Sequence, residues 1–235
     1  MKRHKTLNGE ATSIIGHRGA MGLYPENTIP GFAMACGFGV DIVELDVHFV
    51  HGTLYVIHDE KVDRTTNKKG SIYSMPKEAI AKLDASRLRT DYDAPPGKYL
   101  GLRLPIPVLQ DVLELFQYSD VIVDIELKGS GTGVVVGNIV NDLIAQKKWS
   151  ARDFIISSFK TEELEACYAT ETDPVHGLVY ARLLRTAEAA DPLSSMPQNF
   201  PVRIYGANNR SVTKEFIEFL HGHEKEVMTW VVDDP

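Results

Sequence analysis

Two segments of this sequence share a strict two-residue alternation, and that pattern constrains the fold more than any other feature. Over residues 41–50, Val43, Leu45, Val47 and Phe49 fall on one side of a strand and Ile42, Glu44, Asp46 and His48 on the other. Over residues 121–128 (VIVDIELK), Val121, Val123, Ile125 and Leu127 oppose Asp124, Glu126 and Lys128. One such strand reads equally well as a surface strand with a wet outer face. Two of them, in a chain that alternates strands with helices, fit a parallel barrel. There the apolar residues pack outward under helices, and inward residues near the C-terminal strand ends build a site.

The remaining pattern supports that alternation. A short strand at 13–16 runs into His17-Arg18-Gly19, and a loop then ends at Pro25-Glu26-Asn27-Thr28. Asn27 or Thr28 can cap the following helix, Pro30 suits its first turn, and Ile29, Phe32, Ala33 and Cys36 have the spacing of a buried stripe. Further helices are expected at 108–117 and 134–147, and further strands at 154–158, 178–180, 202–205 and 227–232. Residues 59–107 are polar, with turn signals at 67–70 and 94–97 and a short helical pattern at 76–83. This stretch reads as an insertion that could cap the barrel mouth, within a single domain spanning 1–235.

The chain has 235 residues, 43% hydrophobic and 24% charged, enough to bury a core. Its formal charge of −7 argues against broad binding to nucleic acid or to an anionic membrane, while leaving room for a small anionic substrate. Cys36 and Cys167 lack metal-ligand spacing and read as reduced core residues. No segment has the length and apolarity of a signal sequence or a membrane span, so a cytoplasmic protein is expected.

Glu44 and Asp46, two apart on a strand, present carboxylates about 6–7 Å apart along the chain on one face. With Glu126 from a neighbouring strand, three carboxylates converge, an arrangement that is repulsive without a cation or a shared proton. Their hard oxygens suit one divalent cation, Mg²⁺ or Ca²⁺. Any one of these acids alone would read as a solvated surface group. His17 follows the first strand, and His58 shares a face with Leu54 and Val56. The two are either hydrogen-bonded core histidines or the general acid and base of a phosphoryl centre. Arg18 and Lys128 are surface cations or phosphate contacts. Trp230, in period with Met228 and Val232, reads as a core residue, and His48 shares the acidic face as a supporting group.

Taken in order, the sequence resembles the glycerophosphodiester phosphodiesterase family. The matching signatures are GHRGA at 16–20, PENT at 25–28, VELDV at 43–47, VIHD at 56–59, DRTT at 63–66, IELK at 125–128 and TWVV at 229–232. The resemblance implies a TIM-type (β/α)8 barrel with a small inserted cap, hydrolysing a small-molecule glycerophosphodiester to glycerol 3-phosphate and an alcohol. It implies Glu44, Asp46 and Glu126 as metal ligands and His17 and His58 as acid and base. Arg18 and Lys128 would contact phosphate, Trp230 the glycerol part, and Glu26 or Asn27 would orient the first loop. The family pattern continues past the tryptophan strand with a helix and a closing strand, so a C-terminal closing element is expected to be missing from a truncated chain. Asp233 stands where the family more often has an amide. Two alternatives remain open. One is a lipid-directed relative, a lysophospholipase D or a phosphoinositide phospholipase C-like enzyme, using Tyr92, Tyr99, Leu100 and Leu102 near Arg103. The other is an inactive binding protein.

Overall fold

The computed structural model describes residues 12–87, 102–171, 177–194 and 200–232. The chain divides into two compact units, Met1–Ile125 and Glu126–Pro235, with the division falling inside one strand. Tyr92, Tyr99, Leu100, Asp233 and the turn expected at 94–97 lie outside the described residues.

In the first unit, β1 (Ile15–Gly16) pairs in parallel with β2 (Ile42–Val50) through helix α1 (Ile29–Gly37). Thr28 is the α1 N-cap, its hydroxyl accepting from Gly31 N–H, and Pro30 occupies the first turn. The buried face of α1 is Gly31, Phe32 and Ala35 rather than the expected stripe, and Ala33 is exposed. Close backbone approach decides this: a Cβ on Gly31 would lie 2.8 Å from Pro25 O. The helix therefore docks through the small residues Gly31 and Ala35 and the ring of Phe32.

β2 turns back at His51-Gly52 into β3 (Thr53–Val56), which pairs with it antiparallel. The chain then passes through the short helix α2 (Lys77–Ile80) and returns to β3 before α3 (Leu109–Phe116). Val56 N–H donates to Pro107 O at 2.8 Å, so the entrance and exit of the 57–107 stretch are bonded to each other. Ile57, Val62, Ile72 and Ile80 of this stretch form an apolar cluster with Val50 of β2 and Tyr55 of β3. Helix α3 buries Leu109, Val112, Leu113 and Phe116, an i, i+3, i+4, i+7 stripe, and the Phe116 ring meets Phe32 edge-on at 6.2 Å. The strand β4 (Ile122–Leu127) starts with Ile122 N–H on Asp41 O.

In the second unit, β4 is followed by α4 (Thr132–Ala145), β5 (Phe154–Ser158), α5 (Thr161–Tyr168), β6 (Val179–Leu184), β7 (Val202–Asn208), α6 (Lys214–Gly222) and β8 (Glu226–Trp230). Strands β5 to β8 pair in parallel and in order. Glycine governs the α4–α5 contact: a Cβ on Gly133 would fall 2.1 Å from Glu163 O, and one on Gly137 2.2 Å from Thr170 Oγ1. The Glu163 carboxylate accepts from Gly131 and Gly133 N–H at 2.9 and 2.8 Å, placing negative charge at the positive end of α4.

β2 and β4 are buried along nearly their whole length on both faces. That excludes the surface-strand reading of their acidic sides.

Gly133→Ala must push α5 off α4, an overpacking cost of about 1–3 kcal/mol. Urea unfolding is expected to show a lower midpoint with an unchanged slope; an unchanged midpoint would contradict the packing described.

Candidate functional site

The loop between β1 and α1 positions the first group of side chains. Gly16 pairs with Val43, so His17 emerges level with Glu44, its Nε2 3.8 Å from Glu44 Oε2. Arg18 and Asn27 both hold left-handed backbone, with φ of 53° and 54°. For residues with a Cβ this costs about 1–2 kcal/mol, least for asparagine. What the strain secures is contact with the β2 acids. Arg18 N–H donates to Glu44 Oε2 at 2.7 Å, and Asn27 Nδ2 donates to Asp46 Oδ2 at 2.8 Å. The two strained residues are themselves joined, Asn27 N–H donating to Arg18 O. Gly19, at φ 79°, has no room for a side chain, because a Cβ would lie 2.8 Å from the Gly31 carbonyl carbon. GHRGA and PENT are thus two ends of one loop wrapped on Glu44 and Asp46.

The hairpin brings in the second group. Ile57 N–H donates to Asp46 O, which returns His58 to the level of the acids. His58 Nδ1 lies 2.5 Å from Asp59 Oδ1. A carboxylate can only accept, so Nδ1 carries the proton and, in the neutral ring, Nε2 is the unprotonated nitrogen. His48 supports this turn from β2: its Nε2–H donates to His58 O at 3.0 Å, which leaves Nδ1 to accept from the Tyr73 hydroxyl at 2.8 Å.

A residue not singled out from the sequence joins these groups. Arg64 donates through both Nη atoms to the Glu26 carboxylate, and through Nε to Asp59 Oδ2 at 2.7 Å. Glu26 also accepts from Arg18 Nη1 at 3.0 Å, and Arg18 Nε lies 3.4 Å from Asp46 Oδ2. Charges therefore alternate from Asp46 through Arg18, Glu26, Arg64 and Asp59 to His58. Burial works against the Glu26 carboxylate, but the bonds from Arg64 and Arg18 outweigh it and hold its pKa below the usual range. The His58 hydrogen bond, together with Arg64, overcomes burial at Asp59 and holds that carboxyl well below the usual range. Hydrogen bonds to Glu26 and Asp59 raise the pKa of Arg64. At His17, burial first and then the Arg18 charge lower the pKa to about 4. Neutral imidazole is its form at pH 7. The sequence signal for Arg64 and Asp59 was their presence in the DRTT and VIHD motifs; nothing in spacing alone pairs Arg64 with Glu26.

In the second unit, Lys128 Nζ donates to Glu126 Oε1 at 2.7 Å, as two same-face positions on a strand end allow. Lys128 Nζ also lies over the Phe159 ring at 5.8 Å, and Phe159 meets Trp230 edge-on at 5.5 Å. Trp230 is half-buried rather than a core residue, and its ring lies where a Cβ on Gly206 would be 2.7 Å from Cζ3. Glu44 and Asp46 are buried in the first unit and Glu126 is buried in the second, three carboxylates that could hold a metal ion. An all-carboxylate donor set fits a hard divalent cation. Cys36 and Cys167 are free thiols. No helix among the described residues is long and apolar enough to cross a membrane.

These elements define an α/β protein of the TIM-barrel type. Residues 17–235 match the glycerophosphoryl diester phosphodiesterase family, and the chain belongs to it. It is 41% identical over 150 residues to a glycerophosphodiester phosphodiesterase of Caldanaerobacter subterraneus subsp. tengcongensis, covering 63% of this chain and 58% of that protein. The chain thus spans less than two thirds of that relative's length. The crystal structure of a glycerophosphodiester phosphodiesterase from Agrobacterium tumefaciens superposes with a TM-score of 0.72 at 27% identity, over 95% of this chain and 88% of that one. An Oleispira antarctica phosphodiesterase, solved in complex with the product sn-glycerol-3-phosphate, shares the fold with a TM-score of 0.76 at 20% identity, over 95% and 85% of the two chains.

The low pKa of His17 has a consequence for stability. In the unfolded chain histidine binds a proton near pH 6.5, whereas in the fold His17 takes one only near pH 4. The unfolded state therefore binds more protons between these values, so stability is full above pH 6.5 and falls as the pH drops toward 4, by at most about 3 kcal/mol. Asp59 and Glu26 contribute mainly below their unfolded pKa values of 3.8 and 4.5, while burial raises the Glu171 carboxyl and adds a contribution of opposite sign, so the His17 contribution is read as the difference between parent and variant. Urea unfolding in EDTA is expected to show this slope in the parent and a shallower one in His17→Gln; equal slopes would refute the assignment.

Proposed function

We propose that this chain hydrolyses glycerophosphodiesters to glycerol 3-phosphate and an alcohol, with Glu44, Asp46 and Glu126 holding one divalent cation, Mg²⁺ or Ca²⁺. The observation that carries the reading is the buried three-carboxylate group, with His17 close to Glu44 and His58 returned to the level of Asp46. Family membership supports the substrate class, and the product bound by the Oleispira phosphodiesterase is the one the reading requires.

The cation, when bound, would polarise a phosphoryl oxygen and offset its charge. His17, neutral at pH 7, and His58, with Nδ1–H fixed on Asp59, present ring nitrogens to the attacking and departing oxygens; one takes a proton and the other gives one. The Arg18 and Lys128 side chains, each a permanent cation beside a carboxylate, supply charge to the non-bridging oxygens. Trp230 and Phe159 offer an apolar wall for the glycerol carbons. The same groups would serve whether water or the substrate's own 2-hydroxyl attacks.

A coupled assay for glycerol 3-phosphate released from glycerophosphocholine tests this. Activity is expected with Mg²⁺ or Ca²⁺ and to disappear with EDTA, with Glu44→Ala inactive and His17→Ala slowed by about 10²–10⁴-fold. Turnover indifferent to EDTA would overturn the metal assignment, and full activity in His17→Ala the proton-transfer one.

A further inference from the structure

We infer that Arg64 is a positioning residue for His58, acting through Asp59. The inference rests on the hydrolase reading above for what His58 does, and on geometry for the rest. Asp59 spends one oxygen on His58 Nδ1–H, at 2.5 Å, and the other on Arg64 Nε–H, at 2.7 Å. A carboxylate held at both oxygens cannot rotate away from the imidazole. Arg64 is in turn fixed by its paired Nη bonds to Glu26, a residue 5% exposed that also accepts from Arg18. The guanidinium thus uses its planar fork on one carboxylate and its remaining edge on another, a geometry that lysine cannot reproduce.

Two consequences follow. The orientation and tautomer of His58 depend on an arginine that touches neither His58 nor, by any contact described above, the carboxylates of the cation site. Arg64 also ties the hairpin carrying His58 to the loop carrying Arg18 and Asn27. A histidine held at one ring nitrogen by a carboxylate gains its tautomer from that partner; here the partner is itself held by Arg64. The fixed Nδ1–H on Asp59 keeps Nε2 as the exchanging atom.

The test uses the whole chain and has two arms. In ¹⁵N-histidine spectra, His58 of the parent is expected as the Nδ1-protonated tautomer at pH values where it is neutral, and Arg64→Gln is expected to shift it toward a mixture with the Nε2-protonated form. An unchanged His58 signal in Arg64→Gln would overturn the inference, whatever the activity. In the glycerol 3-phosphate assay, Arg64→Gln is expected to lower kcat by about 10–100-fold with KM within about threefold, the usual cost of losing a supporting contact. Arg64→Lys, which keeps the charge and loses the fork, is expected to match the parent in stability without restoring kcat.

The double variant Asp59→Asn/Arg64→Gln decides the route. If Arg64 acts through Asp59, its loss is no larger than that of the worse single variant, whereas losses that multiply would refute the route. Unfolding of both Arg64 variants would make the residue structural and end the inference. A parent chain that releases no glycerol 3-phosphate would end the functional reading instead, leaving the spectroscopic arm to judge Arg64 by itself.

Discussion

The first unit depends on keeping ionised groups out of water without leaving any of them uncompensated. Asp46 and Glu26 are 0% and 5% exposed, and a buried carboxylate with nothing opposite it costs several kcal/mol. The alternation Asp46, Arg18, Glu26, Arg64, Asp59, His58 meets that cost by giving each charge in the row an opposite neighbour or a hydrogen bond. Removing a group from the middle would leave each of its two neighbours with one partner where it had two, whereas removing one from the end disturbs a single neighbour. The network is therefore poor evidence of extra stability and good evidence of a fixed geometry.

Local structure follows from that requirement. Arg18 and Asn27 accept left-handed backbone because only so can one N–H reach Glu44 and one side-chain amide reach Asp46. Gly19 is required beside them by the closeness of the α1 backbone. On the other side, the β2–β3 hairpin reverses the chain tightly enough that Ile57 bonds to Asp46 O, which brings His58 back to the acid row. Strain, glycine and hairpin are three local solutions to one problem of placing polar groups around buried acids.

Much of this was legible in the sequence because period 2 is a robust signal. The strands β2 and β4 were read nearly to the residue, and the apolar and ionisable faces sorted Glu44, Asp46 and Glu126 onto one class of position. Helix α3 was equally clear, since four apolar residues at helical spacing admit one buried face. The stripe of α1 was misread because hydrophobicity favoured Ile29 and Ala33, while close docking selected Gly31 and Ala35, whose merit is small size. For Trp230 the period with Met228 and Val232 suggests a core position, whereas the half-buried place of its ring over Gly206 is a matter of packing that periodicity does not carry.

Arg64 was hidden for a different reason. Its partners are 38 residues before it and five before it, at Glu26 and Asp59, and a charged residue in a polar stretch gives no periodic signature. Only its place in DRTT marked it, and the other members of that motif show why the motif reads as a unit. Asp63 accepts from Gly70 N–H and the Thr66 hydroxyl donates to Val62 O, so both brace the local turn. A turn braced on both sides of Arg64 fixes where its backbone starts, and the paired bonds to Glu26 fix where its guanidinium ends. With both ends set, the Nε–H has one direction left, and Asp59 stands in it. On the proposed role of His58, rigid placement of this kind has a use, because a ring that exchanges protons must meet a transient geometry without searching for it.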